Sequence, residues 1–540
     1  MEVEQAKLQI EIQNFEEAAQ NLFKAEKFWT TKLGEENIYT AEIYLVQGLM
    51  NYKKKNYANA EKLYKKSAQQ YSSIFNSSYI HYLTATTGLA KVAYMYKDYE
   101  KADQYIKEVL NARLKFTTNN FSVMSSGQKS GFWAQFKEEF ELANAISYVL
   151  ITQKGDKKSS ISLYNRAINT KGMLLNSDAR LRKVVFESGD SILIATFNEW
   201  LEQKEFFASA SAYSNAQLKE ENISLDKIEG RIADLEKKIN QKINGDINAN
   251  HKMYDWVEVR EALPKRSSAV EVMRFRYFSH EFTDSVVYAA LIINENTKAY
   301  PQAVFLGEGK KMEKGYLKYY RNATIGKIDD LNSYQAFFAP IKDKIPDNHT
   351  IFFAGEGVYT QLNVEMLLNP EKNQFALQAN SFVFITNTKD MIPEEKQKKT
   401  VFNVSQSNYY LYGNPKFYTI PVGKESVPPL EGAETEVKAI YESLKSSKRN
   451  ATMMLGSNIT EDTLKSMQNP YVLHISTHGF FMENAGNGLT NNPMLNSGLM
   501  LTGSGDILEK NIGYVNQKPG ILTASEVMDM NFTNTQLVVL

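Results

Sequence analysis

The sequence predicts a multidomain protein in which an all-α solenoid is followed by an α/β region with a mostly parallel sheet. Three observations carry this reading. A 42-residue interval recurs through the first 110 residues, helical patterning without that register continues to about Ile243, and strand-like runs then alternate with helices to the end of the sequence.

The repeat can be checked by subtraction. Phe15, Tyr57 and Tyr99 stand 42 residues apart, as do Ala18, Ala60 and Ala102, and also Leu22, Tyr64 and Ile106. Ahead of them, Ala6, Gly48 and Ala90 recur at the same interval, followed by Ile10, Tyr52 and Tyr94. Small residues let two helices approach, and the aromatic knobs fill the next groove, so each unit predicts an antiparallel helix pair that must stack on its neighbours to bury its apolar face. The first helix of each pair, including Tyr44 to Tyr52 and Thr86 to Tyr94, is expected to line the concave side. A protein partner, a substrate or an autoinhibitory contact would dock there. The remaining α/β half is expected to fold without residues 1–112.

Beyond Leu114, the stretches Ala143 to Ile151 and Ser160 to Leu175 read as further helices. Leu225, Ile228, Ile232, Leu235, Ile239 and Ile243 make one apolar stripe, expected to pack along the solenoid or its junction. The character changes near Asn244 to Asn250. Strands are then predicted at Ala269 to Phe278, Ser285 to Ile293, Ala303 to Leu306, Thr350 to Ala354, Ser381 to Ile385 and Tyr409 to Tyr412. Val437, Ile440, Tyr441 and Leu444 share a helix face behind Gly432, and Thr460 is an N-cap with Glu461 and Asp462 in the first turn. Lys389 to Thr400 is charged, contains Pro393 and reads as an exposed loop. The domain boundaries follow: repeats over 1–112, a helical connector over 113–245, and the α/β domain over 250–540.

Sixty-two basic residues balance sixty-two acidic ones, so the formal charge is zero and nothing favours nucleic acid or a basic membrane-binding face. The opening Met1-Glu-Val-Glu-Gln-Ala-Lys lacks the apolar core of a secretion signal, and a cytoplasmic location is expected. With no Cys in the chain there is no disulfide framework and no thiolate metal site. No cofactor is called for.

Chemistry is expected at Tyr471-Val-Leu-His-Ile-Ser-Thr-His-Gly-Phe-Phe481. Its apolar, β-branched first half predicts a buried strand that delivers His478 into a glycine-containing turn, which makes His478 the general-base candidate. Gly479 has no Cβ, so its amide can approach a substrate carbonyl; a plain turn glycine is the alternative. His474 and His478 are four apart, as in a helical zinc motif, but on a strand they lie about 13 Å apart, too far for one ion. Ser476 and Thr477 adjoin the base along the chain rather than across a cleft, which is poor placement for a nucleophile. Gly307-Glu-Gly309 and Gly355-Glu-Gly357 lack the Lys-Ser/Thr of a phosphate loop and read as turns between sheet elements.

The same stretch resembles the CHAT family of caspase-like and separase-like cysteine peptidases, whose marks are a strand ending in His-x-x-x-His-Gly and a second ending in Ser-Ala-Cys-x-Thr-Gly. Trp256-Val-Glu-Val-Arg260, Ala269-Val-Glu-Val272, Tyr288-Ala-Ala-Leu291, Val304-Phe-Leu-Gly307, Gly413-Asn-Pro415, Glu431-Gly-Ala-Glu-Thr-Glu-Val437, Asn492 to Leu499 and Gly520-Ile-Leu-Thr-Ala-Ser-Glu526 match further landmarks. Pro519 and Asn496 depart from the family pattern, where an acidic and a basic residue are usual. The repeat unit is similar to the longer tetratricopeptide repeat of the kinesin light chain type.

The resemblance implies a caspase-like α/β sandwich with His478 as general base, Gly479 in the oxyanion hole and His474 as a buried supporting residue hydrogen-bonded through its ring. It also implies a Cys nucleophile working through a thioester, and a role in bacterial defence or regulated proteolysis. That Cys is absent from the chain. Gln536-Leu-Val-Val-Leu540 reads as the strand leading to it, so the sequence is expected to stop short of the nucleophile. A catalytically dead scaffold is the alternative.

Overall fold

The computed structural model describes residues 2–120, 126–172, 184–185, 188–210, 215–247, 252–393, 407–419, 426–467, 470–481, 497–509, 520–528, 530, 532 and 535–540. It divides into two compact units. The first is drawn from 1–122, 128–176 and 250–395, and the second from 123–127, 177–249 and 396–540.

The first unit opens with three helix pairs, α1 (Glu2–Glu11) with α2 (Phe15–Leu33), α3 (Ile38–Lys53) with α4 (Tyr57–Ile74), and α5 (Ile80–Met95) with α6 (Tyr99–Asn120). Phe15, Tyr57 and Tyr99, the residues that set the 42-residue register, each begin the second helix of a pair. The turn before each is also repeated: Gln13, Lys55 and Lys97 take positive φ values of 61°, 61° and 60°. This left-handed corner falls on non-glycine residues three times, which only a strongly determined helix-helix turn sustains. Tyr64 of α4 is clamped between glycines of both neighbouring helices. A Cβ on Gly48 would lie 2.7 Å from its ring, and one on Gly88 2.5 Å.

Ala in place of a mid-helix Gly normally gains up to about 1 kcal/mol. Here the sign should reverse, because overpacking a core aromatic costs about 1–3 kcal/mol. Gly88→Ala is therefore expected to lower the melting temperature, checked by circular dichroism of the far-ultraviolet helix signal.

Helices α7 (Ser126–Lys154) and α8 (Ser159–Thr170) continue the helical layer, and the sheet packs directly against it. Strands β1 (Ser267–Phe278), β2 (Phe282–Asn294), β3 (Gln302–Leu306), β4 (Thr350–Ala354) and β5 (Ser381–Phe384) lie in the order β3-β2-β1-β4-β5. Strands β1, β4 and β5 run parallel, while the β1–β2 and β2–β3 pairs are antiparallel. Both faces of β1 are covered. Ala269 and Met273 meet Leu163, Tyr164 and Ala167 of α8 on one side, and Val270 and Val272 meet Phe337, Phe338 and Ile341 on the other. Burial on two faces explains the near-continuous apolar runs at Ala269 to Phe278 and Ser285 to Ile293.

The tip of the β1–β2 hairpin is gripped by the repeats. Tyr52 Oη donates to the His280 carbonyl at 2.6 Å and its ring stacks on the imidazole at 4.5 Å, Tyr57 Oη lies 3.2 Å from His280 Nδ1, and Tyr94 Oη donates to the Phe278 carbonyl at 2.9 Å. Phe278 joins one apolar core with Leu83, Tyr94, Phe140 and Leu142. The Tyr52 and Tyr94 positions of the first helices thus hold the chain's own hairpin, and the core around the hairpin end includes side chains from α5 and α6.

In the second unit, α9 (Ser191–Ala210) pairs with α10 (Leu225–Ile247), burying Leu193, Phe197 and Trp200 against Leu235, Ile239 and Ile243. The Leu225 to Ile243 stripe thus packs against α9. Strands β6 (Asn408–Pro415), β7 (Asn450–Gly456), β8 (Val472–Ser476) and β12 (Leu537–Val539) form a second sheet in the order β12-β8-β6-β7, every described pair parallel. The helix α11 (Ala433–Ser446) crosses from β6 to β7 and the short α12 (Glu461–Lys465) from β7 to β8. A three-stranded antiparallel sheet, β9 (Gly479–Phe481), β10 (Ser497–Met500) and β11 (Ile521–Thr523), adjoins the end of β8 along the chain.

The expected loop from Lys389 instead begins inside a short 3-10 helix, Thr388–Met391, because Thr388 is buried by its bonds to Glu271. Residues 394–400, Pro519 and Asn496, and the first part of the Asn492 to Leu499 landmark lie outside the described residues. Among the described residues no helix is long and apolar enough to cross a membrane.

Candidate active site

Alternation along β8 separates two jobs. Leu473 and Ile475 point into a core with Tyr412, Ile459, Leu464 and Leu522, while His474 and Ser476 share the opposite face, toward α11. α11 can press this closely because β6 has Gly413 beneath it: a Cβ there would stand 2.6 Å from Val437 Cγ2 and 3.0 Å from the Ala433 carbonyl. Gly432 precedes the helix with φ at 96°, and Glu434 and Glu436 occupy the first turn, where the helix dipole favours them. The Gly413-Asn-Pro415 and Glu431 to Val437 landmarks are thus two sides of one strand-helix contact.

His474 is buried on β8 between Leu411 of β6 and Val539 of β12. Among the described residues its Nε2 has no hydrogen-bond partner, and the Glu436 carboxylate is 3.7 Å away. Glu436 is engaged by Ser476, whose Oγ donates to it at 3.0 Å. Thr477 Oγ1 donates to the Met500 carbonyl at 2.5 Å. Both hydroxyls next to the base are therefore occupied.

His478 stands just past the end of β8 and before β9, at the carboxyl edge of the parallel sheet. Its Nε2 donates to the Pro428 carbonyl at 2.7 Å and its ring lies 5.3 Å from that of Phe417. A carbonyl can only accept, so Nε2 carries the proton and, in the neutral ring, Nδ1 is left with the lone pair.

Gly479 opens β9 opposite Leu499. The Met500 N–H donates to the His478 carbonyl at 2.8 Å, which makes 478 and 500 a hydrogen-bonded pair. Such pairs alternate in an antiparallel ladder, so Gly479 and Leu499 form a non-bonded pair and the Gly479 N–H turns away from β10. Gly498 is needed by the next strand, since a Cβ there would meet the Leu522 carbonyl at 2.3 Å.

β12 pairs with β8 in parallel, with Val472, Leu473 and His474 opposite Leu537, Val538 and Val539.

A buried carboxyl pair fixes the segment leading to β12. Glu526 accepts from Thr523 N–H at 2.8 Å and Oγ1 at 2.7 Å, Lys465 Nζ lies 3.1 Å from Glu526 and bridges to Glu461, and Glu461 is pushed up to about 8 by burial and by the Glu526 charge. Glu526 is held below the usual value despite its burial, chiefly through Glu461 and Lys465. Below about pH 4.5 both folded and unfolded chains hold the Glu461 proton and it contributes nothing. Between about 4.5 and about 8 only the folded chain keeps it, so stability falls as pH rises across that window. Glu461→Gln removes the penalty: its free energy of unfolding, from urea titration, is expected to lie close to the parent's at pH 5 and to exceed it above pH 8, by on the order of a few kcal/mol.

Sequence reasoning placed His478 and Gly479 together at the strand end, as found. It missed Pro428, Phe417 and Glu436. Glu436 lay within a recognised landmark, but a backbone carbonyl partner such as Pro428 leaves no side-chain signature.

Among proteins of known family, residues 332–540 match the family model described as the CHAT domain, and residues 39–115 match the tetratricopeptide repeat. A search of curated proteins finds no match to the chain.

Proposed function

Because this chain joins tetratricopeptide repeats to a CHAT domain, a protease-like domain on a repeat scaffold, we propose that its second unit is a caspase-like cysteine endopeptidase framework acting in regulated proteolysis. His478 is the general base. The observation that carries this is the strand register: a thiol on the third residue past Leu540 would stand one strand spacing, about 4.8 Å, from the backbone of the base. His478, its Nε2 held by Pro428, would take the thiol proton at Nδ1. The thiolate would attack a peptide carbonyl, the Gly479 amide would receive the oxyanion, the amine would leave as the C–N bond breaks, taking the proton from His478, and water would then release the acyl group from the thioester as a carboxylic acid and restore the thiol.

The repeat match supports a second reading in which these residues serve as a protein-binding scaffold without catalysis. Tetratricopeptide repeats generally mediate protein–protein contacts, and the partner is proposed to bind repeat surface outside the Tyr52–Tyr94 grip on the hairpin. Peptide hydrolysis by the chain as given and by the same chain extended through Ser-Ala-Cys-x-Thr-Gly separates the two readings. The first expects activity only in the extended chain; absence of activity in both supports the scaffold.

A further inference from the structure

The first unit contains a cavity of about 920 Å³ at the carboxyl ends of β4 and β5, closed on one side by α7. Crevices in this position are the usual ligand sites of parallel sheets, and this volume lies in the range of small-molecule pockets. Its walls are aromatic, with Trp133 and Phe140 from α7 and Phe384 from β5.

The charges inside are mostly spoken for. Lys171 donates to Glu271 at 2.5 Å and to the Val272 and Ala354 carbonyls, Arg274 donates to Glu313 at 2.5 Å, and Glu141 accepts from Arg276 at 2.5 Å. Glu356 is different. Among the described residues no side chain donates a hydrogen bond to it, and the backbone N–H of Arg274 is its one direct support. Burial raises its pKa above the ordinary carboxylate value in spite of the nearby Lys171 and Arg274, so the wall does not fully compensate the ionised group.

The turn carrying Glu356 is fixed by packing. A Cβ on Gly355 would stand 3.0 Å from the Tyr359 carbonyl; Gly357, at φ 61°, has no room for one, since it would come within 2.2 Å of Tyr288 Oη. Tyr288 Oη also accepts from Val358 N–H at 3.1 Å. The Gly355-Glu-Gly357 motif therefore holds a carboxyl in the cavity wall by backbone geometry rather than by a counter-ion.

We propose that this cavity binds a small organic ammonium ion, its apolar body against Trp133, Phe140 and Phe384 and its charged head on Glu356. An ammonium supplies the donors and the charge that the wall withholds, and the aromatic faces favour a cation's flank. Lys137, exposed on α7 at the cavity, disfavours a second cationic group at that side.

The test is calorimetric titration of the intact chain with three probes sharing one body, 3-phenylpropylamine, 3-phenylpropanol and 3-phenylpropionate. The amine is expected to bind at least tenfold more tightly than either of the others. Glu356→Gln should erase that preference while leaving the melting temperature within a few degrees of the parent. Lys137→Glu, at an exposed helix position, should tighten amine binding severalfold. Equal or tighter binding of the carboxylate, an amine preference that survives Glu356→Gln, or no binding of any probe would each overturn the proposal.

Discussion

Replacing Glu271 with Ala is expected to destabilise the first unit by about 3–5 kcal/mol, enough to remove much of the stability of an ordinary domain. Glu271 is fully buried in the middle of β1. One carboxylate oxygen takes the Lys171 ammonium at 2.5 Å, and the other takes both the N–H and the hydroxyl of Thr388 at 2.8 Å. Tyr164 Oη is 2.8 Å from the same hydroxyl, and Asn387 Nδ2 donates to the Ile168 and Lys171 carbonyls. These bonds join α8, β1 and the turn after β5. Truncation to Ala leaves a lysine charge and a backbone donor buried together, so the loss exceeds the worth of the pair itself. Replacing both Glu271 and Lys171 with Met should cost less than Glu271→Ala alone. Urea titrations of the parent, Glu271→Met, Lys171→Met and the double variant, followed by far-ultraviolet circular dichroism, read this directly; a double-variant loss equal to the sum of the two single losses would show that the pair is not coupled.

A chain extended through Ser-Ala-Cys-x-Thr-Gly is expected to lose peptide hydrolysis on His478→Ala by about 10²–10⁴-fold, the usual contribution of a positioned base. His474→Ala should leave the larger part of the rate. His474 lies within the sheet, four residues before His478, beside the Glu436 carboxylate at 3.7 Å. Full activity in the His478→Ala variant, or complete loss in His474→Ala, would reverse the two assignments. Phe417→Ala should fall between them, since the ring that steadies His478 is removed but its bond to Pro428 is kept.

Local patterning made much of this fold legible. The 42-residue interval identified the three helix pairs, Thr350 to Ala354 was read with both ends correct, and the Thr460 cap is made, its hydroxyl accepting from Thr463 N–H. These features depend on neighbours along the chain. What the sequence could not convey was partnership between distant segments. Alternating strands and helices do not say which strands share a sheet, and here those before and after residue 396 belong to different sheets in different units. Tyr52 and Tyr94 were identified as register positions of the repeat, yet their occupant, a hairpin tip some 200 residues later, has no periodicity of its own. The left-handed Lys55 and Lys97 were equally hidden, because lysine is not a residue that announces such a corner. At the site, the side chains were found and the carbonyl that orients His478 was not.

The central claim is that β12 runs in a register that brings a continuing chain beside His478, and thiol reactivity tests it most directly. Single cysteines placed two, three or four residues past Leu540 in the extended chain would be alkylated with iodoacetamide across pH 5 to 10. The account predicts that the cysteine at the third position alone titrates well below the ordinary thiol value of about 8.5, and that His478→Ala returns it there. Ordinary titration at the third position, or a lowered value that persists in His478→Ala, would contradict the register and with it the peptidase reading.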